Sequence, residues 1–344
     1  LIVSHDRYFL DRLCSSICEI ERGVLTRYKG NYSAFVRQRE ENNARREKEY
    51  EQQQKQIAQL EDYVAKNLVR ASTTKMAQSR RKQLEKMERI ERPAHEAKSA
   101  KIRFTYAVEP PIDVLKVKGV DISVGEGNAR KTLVDEVSFD VRRGETIGII
   151  GDNGIGKSTL LRIIQEKLPH KGIVRWNSNV KISYFEQEST NLNRELTVME
   201  ELHSRYPSLS ELEVRSLLAQ VRLVGENVFK ETGVISGGER AKLCFAIMMQ
   251  EHGNVLILDE PTNHLDLSTK EAIEEALEEY TGTIIFVSHD RYLLSKIADR
   301  LIELTDGGYR CHNFGFEKYL DVLREEQSEQ KRAADEEKRQ RAAE

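Results

Sequence analysis

The sequence predicts an α/β domain preceded by a long helical hairpin. Between residues 105 and 320, short apolar runs rich in β-branched residues alternate with stretches of helical spacing, a pattern typical of a parallel sheet with crossover helices. Residues 33–96 contain no glycine and are dominated by Gln, Glu, Lys and Arg, which favours long helices. With 344 residues, 39% of them apolar, the chain is long enough for about two domains.

The chain opens on a segment that it later repeats. Residues 1–10 recur, with few changes, as residues 285–294, and Glu19 matches Glu303 at the same offset. A repeat of this length predicts that one type of domain occurs twice. Only the last part of the first copy is present, so we expect residues 1–35 to be the C-terminal remnant of a domain whose earlier part has been cut away.

Residues 36–104 predict the hairpin itself. Apolar residues recur at intervals of seven from Tyr50 to Val64, which gives a stripe too thin for a globular core but suited to a partner helix. Weak helix formers within residues 67–74 predict the turn. We expect two antiparallel helices, of which the second ends at Pro93.

Basic charge is concentrated near this predicted turn. The whole chain has a formal net charge of −3, but residues 36–104 hold 18 Lys and Arg against 11 Asp and Glu, a net of +7. From Lys66 to Leu84 there are six basic residues and no acidic residue. Charges of both signs would alternate on an ordinary solvated helix, so this run indicates contact with the phosphates of a nucleic acid. The candidate contacts are Lys66, Arg70, Lys75, Arg80, Arg81 and Lys82.

A phosphate-binding loop follows in the α/β domain. Residues 151–158, GDNGIGKS, fit the pattern G-x-x-x-x-G-K-[ST] at every fixed position, between a strand-like run and a helical one. Loop N–H groups and the helix N-terminus can surround nucleotide phosphates, while the lysine reaches the β- and γ-phosphates and the serine a Mg²⁺ ion. The predicted nucleotide contacts are Gly151, Asp152, Asn153, Gly154, Ile155, Gly156, Lys157, Ser158 and Thr159.

Polar residues at the ends of three other strands point to the same chemistry. Asp259 and Glu260 close a buried apolar run, at the edge where open α/β sheets bind ligands. Asp259, with Ser158, suits the Mg²⁺ shell, and Glu260 suits the polarisation of an attacking water. We expect Gln187 and His289 to sense the metal and the γ-phosphate, so that Gln187 belongs to both the catalytic and the metal sets.

A second anion-binding helix end is predicted in the same domain. Ser236, Gly237 and Gly238 precede a helix expected over residues 241–249, and their N–H groups and hydroxyl are available to a phosphate.

In this order and spacing, the motifs resemble the ATP-binding cassette (ABC) family over residues 112–320. The resemblance implies a P-loop NTPase cassette with a helical subdomain, in which Gln187 forms the Q-loop, Ser236–Glu239 the signature and His289 the switch. It also implies ATP and Mg²⁺ as ligands and an ATPase that works as a head-to-tail pair of cassettes. Residues 1–35 look like the end of another cassette, with His5 as its switch.

Tandem cassettes joined by a basic hairpin, without a membrane domain, look like the ABC-F subfamily. The sequence DEPTNHLD at residues 259–266 is characteristic of it, and residues 75–80 resemble its linker. This resemblance implies a hairpin that reaches tRNA and rRNA from the ribosomal E site, in a translation factor or a ribosome-protection factor for antibiotic resistance. The chain is thus divided into the remnant 1–35, the hairpin 36–104, the cassette 105–320 and a charged helical tail, 321–344.

Two other functions stay open at this point. The tail could begin the C-terminal coiled coil of a Uup-like, DNA-associated ABC ATPase, or the cassette could be the motor of a membrane transporter. The chain also departs from the family, since Val124 stands where an aromatic residue usually stacks on adenine. Because the first cassette lacks its phosphate loop and signature, we expect this chain alone to bind and hydrolyse ATP weakly unless two copies pair.

We expect the protein to be soluble and cytoplasmic. No apolar run approaches the roughly 20 residues that cross a bilayer, and the N-terminus lacks a signal-peptide pattern. No membrane partner is expected. The four cysteines lack zinc or disulfide spacing and are expected to be buried, reduced thiols.

Overall fold

The computed structural model places the chain in two compact units, residues 1–99 and 100–344. It describes residues 2–4, 7–21, 23–67, 74–87, 89, 102–125, 131–186, 192–263, 265–326 and 328–329.

The first unit combines a β-hairpin with two long helices. Strands β1 and β2 pair in antiparallel fashion, and the second long helix contacts the first. Its elements are α1 (Arg7–Leu13), β1 (Ser16–Glu21), β2 (Val24–Lys29), α2 (Tyr32–Asn67) and α3 (Thr74–Lys86).

The apolar stripe of α2 is partly buried, as its spacing predicts. Ile57 is buried, and Leu60 and Val64 on α2 and Leu84 on α3 are half-buried. The helix α3 ends at Lys86, seven residues before the proline that was expected to end it. Helix α2 runs without a break across the predicted boundary between residues 35 and 36, so the end of the segment 1–35 and the first arm of the hairpin share one helix.

The repeat seen in the sequence is also a repeat of structure. Helix α1 and strands β1 and β2 lie 284 positions before a matching helix and strand pair near the end of the second unit. The contacts match as well. Tyr28 Oη donates to Glu19 Oε2 over 3.1 Å, and at the same offset His312 Nε2 lies 2.9 Å from Glu303 Oε2. The same fold element therefore occurs twice in the chain.

The second unit is built on a six-stranded sheet. Its order is β11-β10-β5-β9-β8-β7, and all neighbours are parallel except β10 and β11. The strands are β5 (Thr146–Gly151), β7 (Ile182–Phe185), β8 (Val255–Asp259), β9 (Thr283–Val287), β10 (Arg300–Thr305) and β11 (Gly308–His312).

The second unit also contains a three-stranded antiparallel sheet, in which β3 is the central strand. Its order is β4-β3-β6, in which β3 is Asp113–Val124, β4 is Lys131–Arg142 and β6 is Ile173–Trp176. The helices of the unit are α4 (Lys157–Ile164), α5 (Val198–Arg205), α6 (Glu211–Gln220), α7 (Gly237–Glu251), α8 (Leu267–Glu278), α9 (Arg291–Ile297) and α10 (residues 316–326), with a 3-10 helix at Gly225–Phe229.

The central strands are buried on both faces, which explains why they are continuous apolar runs in the sequence. On β8, Leu256 and Leu258 face one core, which they share with helices α5 to α8, while Val255 and Ile257 face another, which they share with α4 and the three-stranded sheet. The α/β fold that the sequence predicts is therefore present, and helices α5 to α8 cover one face of the sheet.

The segment before β3 belongs to the same unit. Ile102 and Phe104 are buried in the first of these cores, and the ring of Phe104 contacts those of Phe245 and Tyr280 at centroid distances of 6.4 and 6.3 Å. The predicted boundary at residues 104 and 105 therefore falls inside a packed segment.

The four cysteines are free, but the expectation that they are buried is wrong. Cys18 and Cys311 are exposed, while Cys14 and Cys244 are half-buried. Cys18 lies on β1, which in the described part of the chain pairs only with β2, and Cys311 lies on the edge strand β11, so both strands are less covered than a central strand. Of the helices that the structure describes, none is long and apolar enough to cross a membrane.

Candidate nucleotide-binding site

The phosphate loop connects β5 to α4, as the motif predicts. Gly151, Gly154 and Gly156 all have positive φ angles, of 144°, 80° and 108°. A Cβ at Gly156 would lie 2.7 Å from Ile122 Cγ2, and a Cβ at Gly151 would collide with the carbonyl oxygen of Leu304. Glycine is required at both positions, because the loop lies directly against neighbouring strands.

Lys157 is folded back onto the loop that carries it. Its Nζ donates to the carbonyl oxygens of Gly151 and Asp152, both at 2.9 Å, and the side chain is buried. Burial lowers the pKa of this amine, an effect that the nearby carboxylate of Glu260 opposes. The ammonium group is therefore held at the loop by these two carbonyl oxygens, which the phosphates of a nucleotide would replace as its partners.

Ser158 and Asp259 meet across the end of the sheet. Ser158, in the first turn of α4, donates its hydroxyl to Asp259 Oδ1 over 3.0 Å, and burial raises the pKa of that carboxyl. A hydroxyl and a carboxylate are the oxygen ligands that Mg²⁺ takes when phosphates supply the rest of its shell. The pair therefore fits the metal that the motif implies.

Glu260 is a buried carboxylate in a strained backbone conformation. Its φ of 51° is unusual for a residue with a side chain, and it is held there by hydrogen bonds from its N–H to Val287 O and from Asn263 N to its carbonyl oxygen. Oε2 accepts a hydrogen bond from the backbone N of His289 over 3.2 Å. Among the described residues, Oε1 has no hydrogen-bond partner, although His289 Nε2 lies 3.4 Å away.

Burial also sets the protonation of this pair. It raises the pKa of Glu260 to about 7, and it lowers that of His289. At neutral pH, the contact of 3.4 Å between His289 Nε2 and Glu260 Oε1 therefore joins a neutral imidazole to a carboxyl group that is about half protonated. A group with such a pKa can accept a proton reversibly near pH 7.

These residues line one cavity of about 470 Å³. Its walls include six of the predicted nucleotide contacts (Asn153, Gly154, Gly156, Lys157, Ser158 and Thr159) together with Glu260 and His289. Val124 also lines it, so the position that departs from the family pattern does face the site. Gln187 lies outside the described residues, two positions after the end of β7, and His5 also lies outside them.

Three residues that line the cavity were not predicted from the sequence as nucleotide contacts. Leu133 on β4 and Val287 at the end of β9 have no sequence signal that distinguishes them from core residues, and Asn263 was singled out only as part of the DEPTNHLD sequence at residues 259–266. Leu133 and Val287 enter the site because strands that are distant in sequence meet there, whereas Asn263 follows Glu260 by three residues.

The signature residues do not line this cavity. Ser236 is the N-cap of α7: its Oγ accepts a hydrogen bond from Glu239 N and donates one to Glu239 Oε2 over 2.9 Å. The helix begins at Gly237, four residues earlier than predicted, because the capping box fixes its first turn and Gly237 and Gly238 are inside it. The N–H groups of this turn form a separate helix N-terminus.

Helix α7, which begins with the signature residues, forms an ion pair with the N-terminal end of α8. Lys242 Nζ lies 2.9 Å from Asp266 Oδ2, and Asp266 is the N-cap of α8. Arg222 also donates to Ser268 Oγ in the first turn of α8.

The basic residues of the hairpin lie on exposed helix surface where they are described. Lys75, Arg80, Arg81 and Lys82 are exposed on α3. Two basic side chains are paired within their own helices, Lys66 with Asp62 and Arg81 with Glu85, by acidic residues that flank the basic run. Arg70 lies outside the described residues.

Comparison with protein families gives two matches, both described as ABC transporter. One covers residues 134–263 and therefore the phosphate loop, the signature and Asp259; the other covers residues 18–104.

Similar proteins extend across almost the whole chain. A putative ATP-binding protein, YdiF, of Bacillus subtilis is 43% identical over 95% of the chain, and ABC transporter F family member 5 of Arabidopsis thaliana is 38% identical over 95%. The probable ATP-binding protein YheS of Escherichia coli is 35% identical over 96%. The chain covers 50%, 48% and 51% of these proteins, so it spans about half the length of the curated relatives it matches.

Among solved structures, the dimeric, post-hydrolysis state of the ATP-binding cassette MJ0796, bound to ADP and Pi, matches 57% of this chain and 98% of that chain. It is 25% identical, with a TM-score of 0.49.

Proposed function

We propose that this chain contains a cassette of the ABC family of ATP-binding proteins, which binds ATP with Mg²⁺ and hydrolyses it in partnership with a second cassette. The observation that carries the proposal is the cavity lined by Lys157, Ser158, Glu260 and His289, in which Ser158 also donates a hydrogen bond to Asp259 behind it. Each of these groups has a separate task in phosphoryl transfer to water.

Binding is assigned to the loop. Lys157 and the loop N–H groups hold the phosphates, with Lys157 Nζ exchanging its two carbonyl partners for phosphate oxygens. Ser158 and Asp259 would hold Mg²⁺, which when bound neutralises charge on the β- and γ-phosphate oxygens.

Activation of water is assigned to Glu260. Its Oε1 is buried, without a hydrogen-bond donor among the described residues, and therefore available to accept a proton from the attacking water. His289 fixes the carboxylate through its backbone N and places an imidazole beside the water. Glu260 would orient the attacking water and accept its proton. General-base catalysis of this kind contributes about 100-fold or more to the rate.

The substitution Glu260→Gln tests this assignment. We expect Mg²⁺-dependent ATP binding to persist and hydrolysis to fall by about 100-fold or more. Glu195→Gln, at an exposed position away from the cavity, is the matched control and should leave the rate unchanged. Unchanged hydrolysis in Glu260→Gln would remove the residue from the mechanism.

A second cassette is part of the proposal because the signature residues of this chain do not line its own cavity. Ser236 to Gly238 would complete the site of a partner cassette, and a partner signature would complete this one. The ATPase rate per chain should therefore rise with protein concentration and be low when the chain is monomeric. A brisk, concentration-independent rate would contradict the pairing.

We further propose that the protein is of the F type and acts on the ribosome near the E site, as a translation factor or as a ribosome-protection factor. The similarity to an F family member over most of the chain supports the type, and the exposed basic residues of α3 support contact with rRNA and tRNA. The competing functions are a DNA-associated ATPase and a transporter motor.

The double variant Arg80→Gln/Lys82→Gln tests the nucleic-acid contact. Neither side chain is ion-paired with an acidic residue among the described contacts, and loss of two phosphate contacts should reduce the slope of log K against log salt by about 1.4 to 1.8. Lys48→Gln/Lys55→Gln, on exposed positions of α2, removes the same charge elsewhere. Equal slopes in both double variants would refute the contact.

Cosedimentation separates the competing functions. Glu260→Gln protein with ATP should sediment with ribosomes and be released without ATP. Retention by duplex DNA, with no ribosome binding in either condition, would favour the DNA-associated reading instead.

A further inference from the structure

A second carboxylate stands beside the Ser158–Asp259 pair. Strands β7 and β8 are parallel neighbours in which Phe185 lies opposite Leu258, so the next residues of the two chains, Glu186 and Asp259, lie opposite each other. Neighbouring strands are about 4.8 Å apart. Two acidic residues therefore stand side by side at the carboxyl ends of adjacent strands, at the edge of the sheet where the phosphate loop begins.

Both carboxylates contact the same side of helix α4. Ser158, in the first turn of this helix, donates its hydroxyl to Asp259 Oδ1 over 3.0 Å. Arg162 lies four residues later, on the same face of the helix, and its Nη2 is 3.6 Å from Glu186 Oε1. One turn of α4 therefore supplies a hydroxyl to the first carboxylate and a guanidinium group to the second.

The placement of Glu186 has an electrostatic cost. Its side chain is only 16% exposed, and like charges that lie directly opposite each other on neighbouring strands destabilise a sheet. Arg162, whose side chain is 42% exposed, offsets part of this cost. A divalent cation at Ser158 and Asp259 would offset it further, because hard cations such as Mg²⁺ bind among oxygen atoms and negative charge.

The charges of Arg162 and Glu186 both reach Asp259. Burial is the largest cause of the raised pKa of Asp259 and the hydrogen bond from Ser158 opposes it; Arg162 also lowers this pKa, whereas Glu186 raises it. A charge that acts on Asp259 also acts on a cation that Asp259 holds. Glu186 attracts such a cation, and Arg162 repels it.

We propose that Glu186 is a second carboxylate of the metal site, whose charge strengthens the binding of Mg²⁺ with the nucleotide, and that Arg162 limits this effect. Neither side chain lines the nucleotide cavity, so both are positioning residues that act through charge. The proposal rests on the nucleotide and Mg²⁺ binding proposed above and adds two residues to the same site.

The contribution of Mg²⁺ to nucleotide binding measures this effect. The dissociation constant of a fluorescent ATP analogue is determined with excess EDTA and with saturating Mg²⁺ at one low ionic strength, and the ratio of the two constants is the factor by which Mg²⁺ tightens binding. Glu186→Gln should lower this factor by about 3-fold or more, because a unit charge within a Debye length of a divalent cation is only partly screened. Arg162→Gln should raise the factor by a similar amount, and the double variant should return it to near the wild-type value.

Opposite signs distinguish a charge effect from a structural one. A variant that only loosens the fold weakens binding with EDTA and with Mg²⁺ alike, which leaves the ratio unchanged. Glu211→Gln and Arg215→Gln are matched controls, since they change the same charges in an ion pair of α6 outside the cavity, and both should keep the wild-type factor. If one single variant does not fold, the direction of the change in the other decides.

Three results would overturn the reasoning at different levels. If the wild-type chain does not bind the analogue in either condition, the proposed nucleotide site is wrong. If it binds but Mg²⁺ does not tighten binding, the assignment of the metal to Ser158 and Asp259 is wrong. If Mg²⁺ tightens binding by the same factor in wild type, Glu186→Gln and Arg162→Gln, only the role of Glu186 and Arg162 is refuted.

Discussion

Asp266 stabilises the contact between α7 and α8 in two ways, as the N-cap of α8 and as the partner of Lys242 in an ion pair. Substitutions of Asp266 can measure the two contributions to the unfolding free energy separately. Its Oδ1 accepts hydrogen bonds from Thr269 N at 2.9 Å and from the Ser268 hydroxyl at 2.7 Å, and its Oδ2 lies 2.9 Å from Lys242 Nζ. Burial on its own would raise the pKa of this carboxyl, but the hydrogen bonds from Ser268, Lys242 and Thr269 outweigh it and lower the pKa.

Two substitutions divide these contributions. Asp266→Asn keeps an oxygen that can cap the helix and removes the charge. Because the Asp266 side chain is 50% exposed, the lost ion pair should cost about 0.5–1 kcal/mol of unfolding free energy. Asp266→Ala removes the cap as well, which adds about 1 kcal/mol.

Urea unfolding followed by tryptophan fluorescence measures the difference. Trp176 is the only tryptophan in the sequence and lies on β6, so it reports on the second unit. Lys242→Met in wild-type and Asp266→Asn backgrounds completes a double-mutant cycle, with a coupling energy expected at about 0.5–1 kcal/mol. Equal losses for Asp266→Asn and Asp266→Ala, or no coupling to Lys242, would refute this division.

The contribution of Asp266 to the unfolding free energy should depend on pH, because folding lowers the pKa of its carboxyl group. A carboxyl whose pKa is lower in the folded chain than in the unfolded chain stabilises the fold above its ordinary pKa and loses that contribution as the pH falls. The advantage of wild type over Asp266→Asn should therefore be complete at neutral pH and shrink in acid.

Three further changes have outcomes that the structure fixes. Gly156→Ala places a Cβ against Ile122 at a φ of 108°, so it should lower the unfolding free energy by at least about 1 kcal/mol and weaken nucleotide binding, as urea titration and nucleotide fluorescence would show. Burial raises the pKa of Glu260 from 4.5 to about 7, so the ionised carboxylate destabilises the fold at high pH. Without nucleotide or Mg²⁺, the unfolding free energy of Glu260→Gln should therefore exceed that of wild type by up to about 3 kcal/mol at pH 8, and this difference should shrink from pH 7 to 4.5. A difference that does not vary with pH would contradict this. Phe245→Ala removes a fully buried ring that stacks on Phe185 at a centroid distance of 4.5 Å, and should cost about 3–5 kcal/mol in the same urea assay; a loss below 1 kcal/mol would mean that the ring is not packed as described.

The sequence was most informative where a local pattern fixes local geometry. The phosphate loop, the buried strand that ends at Asp259, and the strand before His289 were all predictable, since a glycine pattern or an apolar run specifies each one without knowledge of its neighbours. The repeat also appeared first in the sequence and extends to matching contacts in the structure.

What the sequence did not reveal depends on packing between distant segments. Leu133 and Val287 enter the cavity only because strands far apart in the chain meet there. The exposure of Cys18 and Cys311 follows from the position of their strands at open edges, which composition does not encode. The early start of α7 was missed because two glycines favour a loop by propensity, whereas the Ser236–Glu239 capping box stabilises the helix there.

The continuity of α2 has a mechanical consequence. At 1.5 Å per residue, its 36 residues form a lever arm of about 54 Å that starts at the small aromatic cluster of Tyr28, Tyr32 and Phe35. A stiff rod multiplies angular error, so a tilt of about 10° at that cluster displaces the far end by about 9 Å. The few side chains that seat the base of the helix therefore determine how accurately its distant end can be aimed.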